Sequence, residues 1–343
     1  MCRFKSGIIL KSKVIVAQGE DDSHSALLDS LGIRDDYIGA SKTFVRAELI
    51  PMGDQWWIDP EKKPERWNFI VDQDITPEWF SREAGEKEFR EAVCSWWKKH
   101  VIVGGEFGEL NDGHYYRMKD CKVKKLCGNT SVMLYKSMVP EMYGNAIVQK
   151  MYGNATVQEM YGNATVKEMH DSATVLEMYG SAIVEEMYGN ATVQEMHGDS
   201  TVLEMHGNAI VQEMYGDAIV MEMHGNATVP EMYGNAIVQE MYGNATVQEM
   251  HGDSTVLEMH GNATVLKMCG NATVPKMHHN SAVQEMHDSA TVKEMYGSAT
   301  VLEMYGSAMV EEMYGNAMAR CFESLHRAKI YVPKGSKIFI DRI

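Results

Sequence analysis

Two residue types with chemistry to offer recur along this chain at a fixed step of nine. Glu159, Glu168, Glu177, Glu186, Glu195, Glu204 and Glu213 belong to a long series of carboxylates interrupted by Lys150, Lys267 and Lys276. Two residues after each Glu stands a Tyr or a His, and Cys269 takes that place after Lys267. Neighbouring carboxylates repel by around 1 kcal/mol in water. They therefore make either a solvated stripe or a docking face for a basic partner. Acid–base catalysis would need one pair set apart from the rest, and no copy is singled out. His251, Cys269 and His287 are of the type that ligates zinc. If coils hold 18 residues they share one column at steps of about 4.8 Å. The competing reading is a ladder of stacked rings in which His replaces Tyr. In the first hundred residues His24, His100, Asp72, Asp74 and Cys94 could form a site, but no spacing groups them. Nothing in the chain calls for a cofactor.

The element that must position these residues is the repeat itself. Twenty of the 28 methionines fall on a nine-residue grid from Met142 to Met313. With Met as position one, position two is Tyr or His, position three nearly always Gly, and position four Asn, Ser or Asp. Position five is Ala, with Ser at Ser200, Ser254 and Ser281, position six is mostly Thr or Ile, and position seven is Val from Val148 to Val310. Branched residues at six and seven favour an extended backbone, and alternation places five and seven on one face with six on the other. Gly followed by Asn, Ser or Asp suits a tight turn. A helix is rejected: each Gly would cost roughly 1 kcal/mol, and a period of nine smears every column around a 3.6-residue spiral.

One unit cannot fold alone. Burial of Val and Met returns about 1.5–3 kcal/mol each, while ordering nine residues costs about 1–2 kcal/mol apiece. Only stacked units sharing their faces can win, which is the logic of a solenoid. The expected fold is therefore mainly β: a parallel β-solenoid, β-roll-like, with two nine-residue units per coil preferred and three left open. Calcium-binding β-rolls share the period, but their GGxGxD loop is absent, so calcium is not implied. Position eight accepts Pro140, Pro230 and Pro275. Pro cannot donate to a ladder, so this position is expected at a strand end or corner, which also lets Glu at nine face out while the next Met returns inward. The outward Thr column (Thr156, Thr165, Thr174) is similar to the arrays of ice-binding solenoids, but Ile183, Ile210, Ile219 and Met309 interrupt it. Asn145, Asn154 and Asn163 suggest an amide ladder along the turns.

Three domains are expected: an α+β head over residues 1–112, the solenoid over 113–319 and a C-terminal cap over 320–343. All six Trp lie in the head. Gly7–Leu10 with Val14–Val16 reads as a hairpin, Ser23–Leu31 as a short helix stopped by Gly32, and Phe44–Ile50 and Trp67–Val71 as strands. Thr76-Pro77-Glu78 reads as a helix start, and Glu86–His100 as the best helix. Degraded repeats begin at Val123, with a shortened unit at Leu126–Val132 and a full one at Met133–Glu141. The cap is expected to hold a helix at Arg320–Ala328 and two strands around the turn Val332-Pro333-Lys334-Gly335.

The net charge is −16. Residues 142–319 carry 18 Glu and five Asp against five Lys, which leaves +2 for everything else. The solenoid is thus expected not to bind nucleic acid directly, since phosphate contacts need Lys and Arg, and to suit a basic protein partner. Six scattered Cys without a CxxC pair read as reduced thiols. The first sixteen residues lack a sustained apolar stretch, so neither a signal peptide nor a membrane span is expected. The expected location is cytoplasmic.

The segments Cys2–Leu10, Phe44–Leu49, Val71-Asp72-Gln73-Asp74 and Pro77-Glu78-Trp79-Phe80 resemble those of a group of bacterial and phage proteins in which such a head precedes Asn-Ser/Ala-Thr-Val nonapeptide repeats. The resemblance implies a phage or prophage origin. No activity comes with the group, so no site residue carries over. The expected function is a non-catalytic scaffold that presents an acidic repetitive face to a protein partner, a host factor if the protein is phage-encoded. The alternatives are a head that is an enzyme or ligand-binding module with the solenoid as spacer, and a structural fibre component.

Overall fold

The computed structural model describes residues 5–19, 22–321, 329–330 and 337–340. Compactness divides the chain into two units, residues 1–104 with 114–119 and residues 105–113 with 120–343. The boundary expected at residue 112 falls within the first, irregular coil, because parallel strands already run from Val101–Val103 and Glu106–Leu110.

The head is built on a four-stranded antiparallel sheet. Its strands are β1 (Lys5–Leu10), β2 (Lys13–Val16), β3 (Phe44–Pro51) and β4 (Trp67–Val71), in the order β2-β1-β3-β4. Helix α1 (His24–Ser30) packs on β1, and α2 (Tyr37–Lys42) on β3. Ile8, Leu28, Ala40 and Phe44 form the core on that side. The long helix α3 (Arg82–His100) packs on β2, β1 and β3. There Gly7 is required, since a Cβ would lie 2.7 Å from the Phe89 ring.

The hairpin, the first helix, both strands and the long helix lie where the sequence places them. The helix start expected at Thr76 does not exist. Trp79 Nε1 donates to Lys42 O at 2.9 Å, and Phe80 N closes a turn on Pro77 O at 2.9 Å. These aromatic anchors hold the segment as a turn, and Ser81 caps the helix instead, accepting from Ala84 N. Helix α2 was not expected. Its six residues include Gly39, and only the Asp36 cap, which accepts from Gly39 N at 2.8 Å, announced it.

The repeats form a parallel β-solenoid with two units per 18-residue coil. Successive units alternate between two fourteen-stranded sheets. Register is set by identity: Thr156 faces Thr174, Val157 faces Val175, Glu159 faces Glu177 and Met160 faces Met178. Ala, Val and Met at five, seven and one point inward, and Ala191, Val193 and Met196 have no solvent exposure. Position eight lies within each strand, as Pro230 does in Thr228–Met232. Yet the pairing passes from seven to nine without it, and eight and nine both face outward. This is the corner that lets Pro in.

Gly at position three takes positive φ, and at Gly270 (φ +72) a Cβ would stand 3.1 Å from the Gly252 backbone one coil below. Where Asp replaces it, the side chain does something in return. Asp171 accepts from Gly153 N at 2.9 Å and Asp288 from Gly270 N at 3.0 Å. The expected amide ladder is present: Asn226 Nδ2 donates to Asn208 Oδ1 at 3.2 Å and Asn244 to Asn226 at 3.3 Å.

The early coils depart from the nine-residue grid. Leu126 faces Met142, and Leu134, rather than the expected Met133, faces Met151, with a register shift opposite Val148 and Lys150. The two units before Met142 are therefore eight residues long, not seven and nine. At the other end, the cap helix expected at Arg320–Ala328 does not start there, because Arg320 and Cys321 end the strand Met318–Cys321; residues 322–328 and the turn Val332–Gly335 lie outside the described residues. Strands Lys329–Ile330 and Lys337–Ile340 are not a hairpin. They pair in parallel with Met309–Val310 in one sheet and with Met318–Cys321 in the other, continuing the coil.

Ser200, Ser254 and Ser281 replace Ala inside the solenoid, fully buried, and their hydroxyls find no hydrogen-bond partner. Burying an unpaired hydroxyl costs about 1–3 kcal/mol, and Ala fills the same position in the neighbouring coils. The triple variant Ser200→Ala, Ser254→Ala, Ser281→Ala is expected to gain about 1 kcal/mol per site, additively because the sites lie coils apart. Thermal melting of parent and variant checks this; an unchanged or lower Tm would refute it.

Candidate functional site

The two-unit winding splits the carboxylates into two columns, one on the outer surface of each sheet. Glu159, Glu177, Glu195 and Glu213 stand on one sheet. Glu168, Glu186 and Glu204 stand on the other. A long run of each column lies between two Lys, beyond which Glu285 and Glu303 continue the first and Glu294 and Glu312 the second. On the first, Lys125 pairs with Glu141 at 3.0 Å and Lys267 approaches Glu249 at 4.0 Å. On the second, Lys150 pairs with Glu168 at 2.9 Å and Lys276 with Glu258 at 2.8 Å. The terminal Glu residues feel it. Burial raises the Glu168 carboxyl, but hydrogen bonds from Lys150 and His170 outweigh this and hold it below the usual range. The Lys276 hydrogen bond lowers Glu258.

Between those ends no Lys enters either column. Each Glu there takes its hydrogen bond from the Tyr or His two residues on. Tyr161 donates to Glu159 at 2.5 Å, and Tyr179, Tyr188, Tyr215, Tyr233 and Tyr242 donate to Glu177, Glu186, Glu213, Glu231 and Glu240. His197, His206 and His224 meet Glu195, Glu204 and Glu222 at 3.1, 3.0 and 2.9 Å. The rings stack coil on coil, as in Tyr215–Tyr233 at 5.1 Å and His224–Tyr242 at 5.0 Å, within 8° and 2° of parallel. Each sheet thus carries a half-exposed carboxylate stripe beside an aromatic ladder. The pairing of ring and carboxylate was legible in the two-residue offset, once both are known to face outward across one strand end.

His251, Cys269 and His287 do share a column, since Met250, Met268 and Met286 are consecutive partners. They are not gathered. His251 and His287 stand two coils apart, about 9.6 Å, whereas ligands of one zinc lie within about 4 Å of each other. Both imidazoles instead turn to their own carboxylates, Glu249 and Glu285, at 3.2 Å. The stacking reading describes them: His251 lies on Tyr233 at 5.0 Å and His287 under Tyr305 at 4.8 Å.

In the head, His24 and Asp72 do come together, with Nδ1 3.3 Å from Oδ2. Glu48, which sequence reasoning missed, joins them. One donor atom from each residue lies within 4.8 Å of the others. The remaining candidates serve elsewhere. His100 stacks on Trp96 at 4.8 Å, and its Nδ1 lies 2.7 Å from Tyr115 O. Burial lowers its pKa. Cys94 lines a separate groove with Glu61 and Lys98, where burial pushes its thiol up. Asp72 and Asp74 line a cleft of about 580 Å³ with Asp35, Arg46 and Gln73. Burial would raise Asp35, but the Arg46 and Ser25 hydrogen bonds prevail and its carboxyl is held low.

Cys94, Cys121, Cys127 and Cys269 are not in disulfides. No helix among the described residues is long and apolar enough to cross a membrane.

The chain stands apart. It matches no protein-family model, no curated protein and no solved structure.

Proposed function

We propose that this protein is a non-catalytic scaffold whose solenoid docks a basic protein along its carboxylate stripes. The observation that carries this reading is the stretch of each column between its terminal lysines. There Glu177, Glu195, Glu213 and Glu231 on one sheet, and Glu186, Glu204, Glu222 and Glu240 on the other, meet only rings within the solenoid. Repeated like charges at a coil spacing of about 4.8 Å raise a local potential that a run of Lys and Arg relieves. The stacked rings add flat apolar surface and fix each carboxylate, so little side-chain entropy remains to be lost on binding. In the phage setting that the sequence resemblance suggests, the partner is a basic host protein.

Replacing those eight Glu by Gln tests it. Gln still accepts from Tyr, so the ladder stays intact while eight charges go. Pull-downs with the full-length chain and with the variant, each at low and at 0.5 M salt, are expected to lose the same basic proteins by either route, since surface charge is screened at high salt. A partner set indifferent to both changes would end the proposal.

A further inference from the structure

We infer that His24, Glu48 and Asp72 form a binding site for one divalent transition cation in the head, independent of any role of the solenoid. His24 opens α1, directly after its Ser23 cap. Its Nε2 lies 3.1 Å from Ala47 O. A carbonyl can only accept, so Nε2 carries the hydrogen, and Nδ1 is the nitrogen turned to Asp72 Oδ2, 3.3 Å away. A cation taken up between them would be ligated by Nδ1 and Oδ2 while Nε2 keeps its bond to the carbonyl. An imidazole anchored through its second nitrogen to a backbone carbonyl is also the usual arrangement of a metal-ligating His.

Glu48 gives the second, independent observation. It sits on β3, which lies between β1 and β4, paired with Ser6 on one side and Ile70 on the other. Strand alternation sets it on the same face as Phe44, the face that α1 and α2 cover. It is nine-tenths buried, and among the described residues no side chain or backbone group hydrogen-bonds or ion-pairs with its carboxylate. A buried carboxylate in that condition costs several kcal/mol. Its oxygen is aimed at the other two ligands, within 4.8 Å of both. A cation between the three would satisfy the Glu48 carboxylate and take His24 Nδ1 and Asp72 as its further ligands.

One imidazole nitrogen with two carboxylate oxygens suits zinc, manganese or ferrous iron, rather than calcium or magnesium, which take all-oxygen shells. Zinc bonds of about 2.0–2.2 Å set ligand atoms roughly 3.3 Å apart. Closing the triad onto an ion thus needs a shift of about 1 Å. Asp72 can supply it, being more than half exposed at the end of β4 while the other two are held. Three protein ligands leave a coordination position open, and Asp72 borders the polar cleft, so water or a small anion could reach the ion from there.

The test uses full-length protein stripped with a chelator, titrated with Zn²⁺ by calorimetry and with Co²⁺ by its visible spectrum. One saturable equivalent is expected. Asp72→Asn, at an exposed position, and Glu48→Gln, of the same shape, should each weaken it at least about tenfold, while Asp74→Asn leaves it unchanged. Zn²⁺ should raise the Tm of the parent head but not of the first two variants. Should Glu48→Gln fail to fold, Asp72→Asn alone decides. The inference is overturned by the absence of a saturable equivalent, which would mean that a proton on Nδ1 is all the site holds. It is equally overturned by an equivalent that survives both variants, which would place the ion on the His and Glu ladders.

Discussion

Asp22→Ala is expected to destabilise the head by about 3–5 kcal/mol, the usual result of removing one partner of a buried ion pair. Lys5 has no solvent exposure, and its Nζ lies 2.6 Å from Asp22 Oδ1. The same ammonium donates to Gly19 O at 3.2 Å and sits 4.0 Å above the Trp96 ring. Arg117, also buried, reaches the second Asp22 oxygen at 3.4 Å. One carboxylate thus serves two buried cations. The cost of burying it is visible in its own titration. Desolvation pushes the Asp22 carboxyl up, and the pull of Lys5 and Arg117 only partly offsets this. Such a set is expensive to bury and more expensive to break. The triple variant Lys5→Met, Asp22→Leu, Arg117→Met should therefore lose less stability than Asp22→Ala alone, because it removes the whole charged set and fills its space with apolar atoms. Chemical denaturation followed by Trp fluorescence reads both, since all six Trp lie in the head. A drop below about 1 kcal/mol for Asp22→Ala would show that the carboxylate is dispensable.

That buried pair marks where sequence reasoning ran out. In the repeats, every position repeats its environment, so type and place are readable together: Val at seven is inward in one coil because it is inward in all. Even the corner at position eight followed from three prolines. The winding could not follow, because two or three units per coil bury the same columns, and only the pairing of Thr156 with Thr174 distinguishes them. The early coils were misread by one residue because Met133 and Leu134 are both apolar and only the bulge opposite Val148 tells them apart. In the head nothing repeats. Lys5 lay outside the hairpin read at Gly7–Leu10, and Glu48 was one polar residue within the strand read at Phe44–Ile50. Both are buried because α1 and α3 cover both faces of the sheet, and covering by distant segments leaves no local mark. His24 and Asp72 were noticed as types, but 47 intervening residues hid that β4 ends beside the start of α1.

The solenoid should lose its stability abruptly between pH 10 and about 12. Eleven of the 16 tyrosines stand in the two ladders. All of them but Tyr152, which follows Lys150, donate to the Glu two residues earlier, and that hydrogen bond, then desolvation, then the charge of the same Glu, push Tyr179, Tyr188, Tyr215, Tyr233 and Tyr296 up to about 12. An unfolded tyrosine titrates near 10. A group whose pKa is raised by folding stabilises the fold fully below its unfolded value and ceases to do so as pH climbs through the folded one. The window is therefore 10 to 12. Within it each phenolate formed would face its own Glu and stand about 5 Å from the next ring, so ionising one makes the next harder, until the coils separate. Absorbance at 295 nm and far-ultraviolet circular dichroism, followed together, should move as one transition in that window. Glu213→Gln with Glu231→Gln removes the charge that Tyr215 and Tyr233 face and should bring part of the absorbance change back toward pH 10 while the β signal persists. Tyrosines of the parent that ionise near pH 10 without loss of β signal would mean that the phenol–carboxylate bonds do not hold in solution, and the docking stripe would lose the rigidity assigned to it.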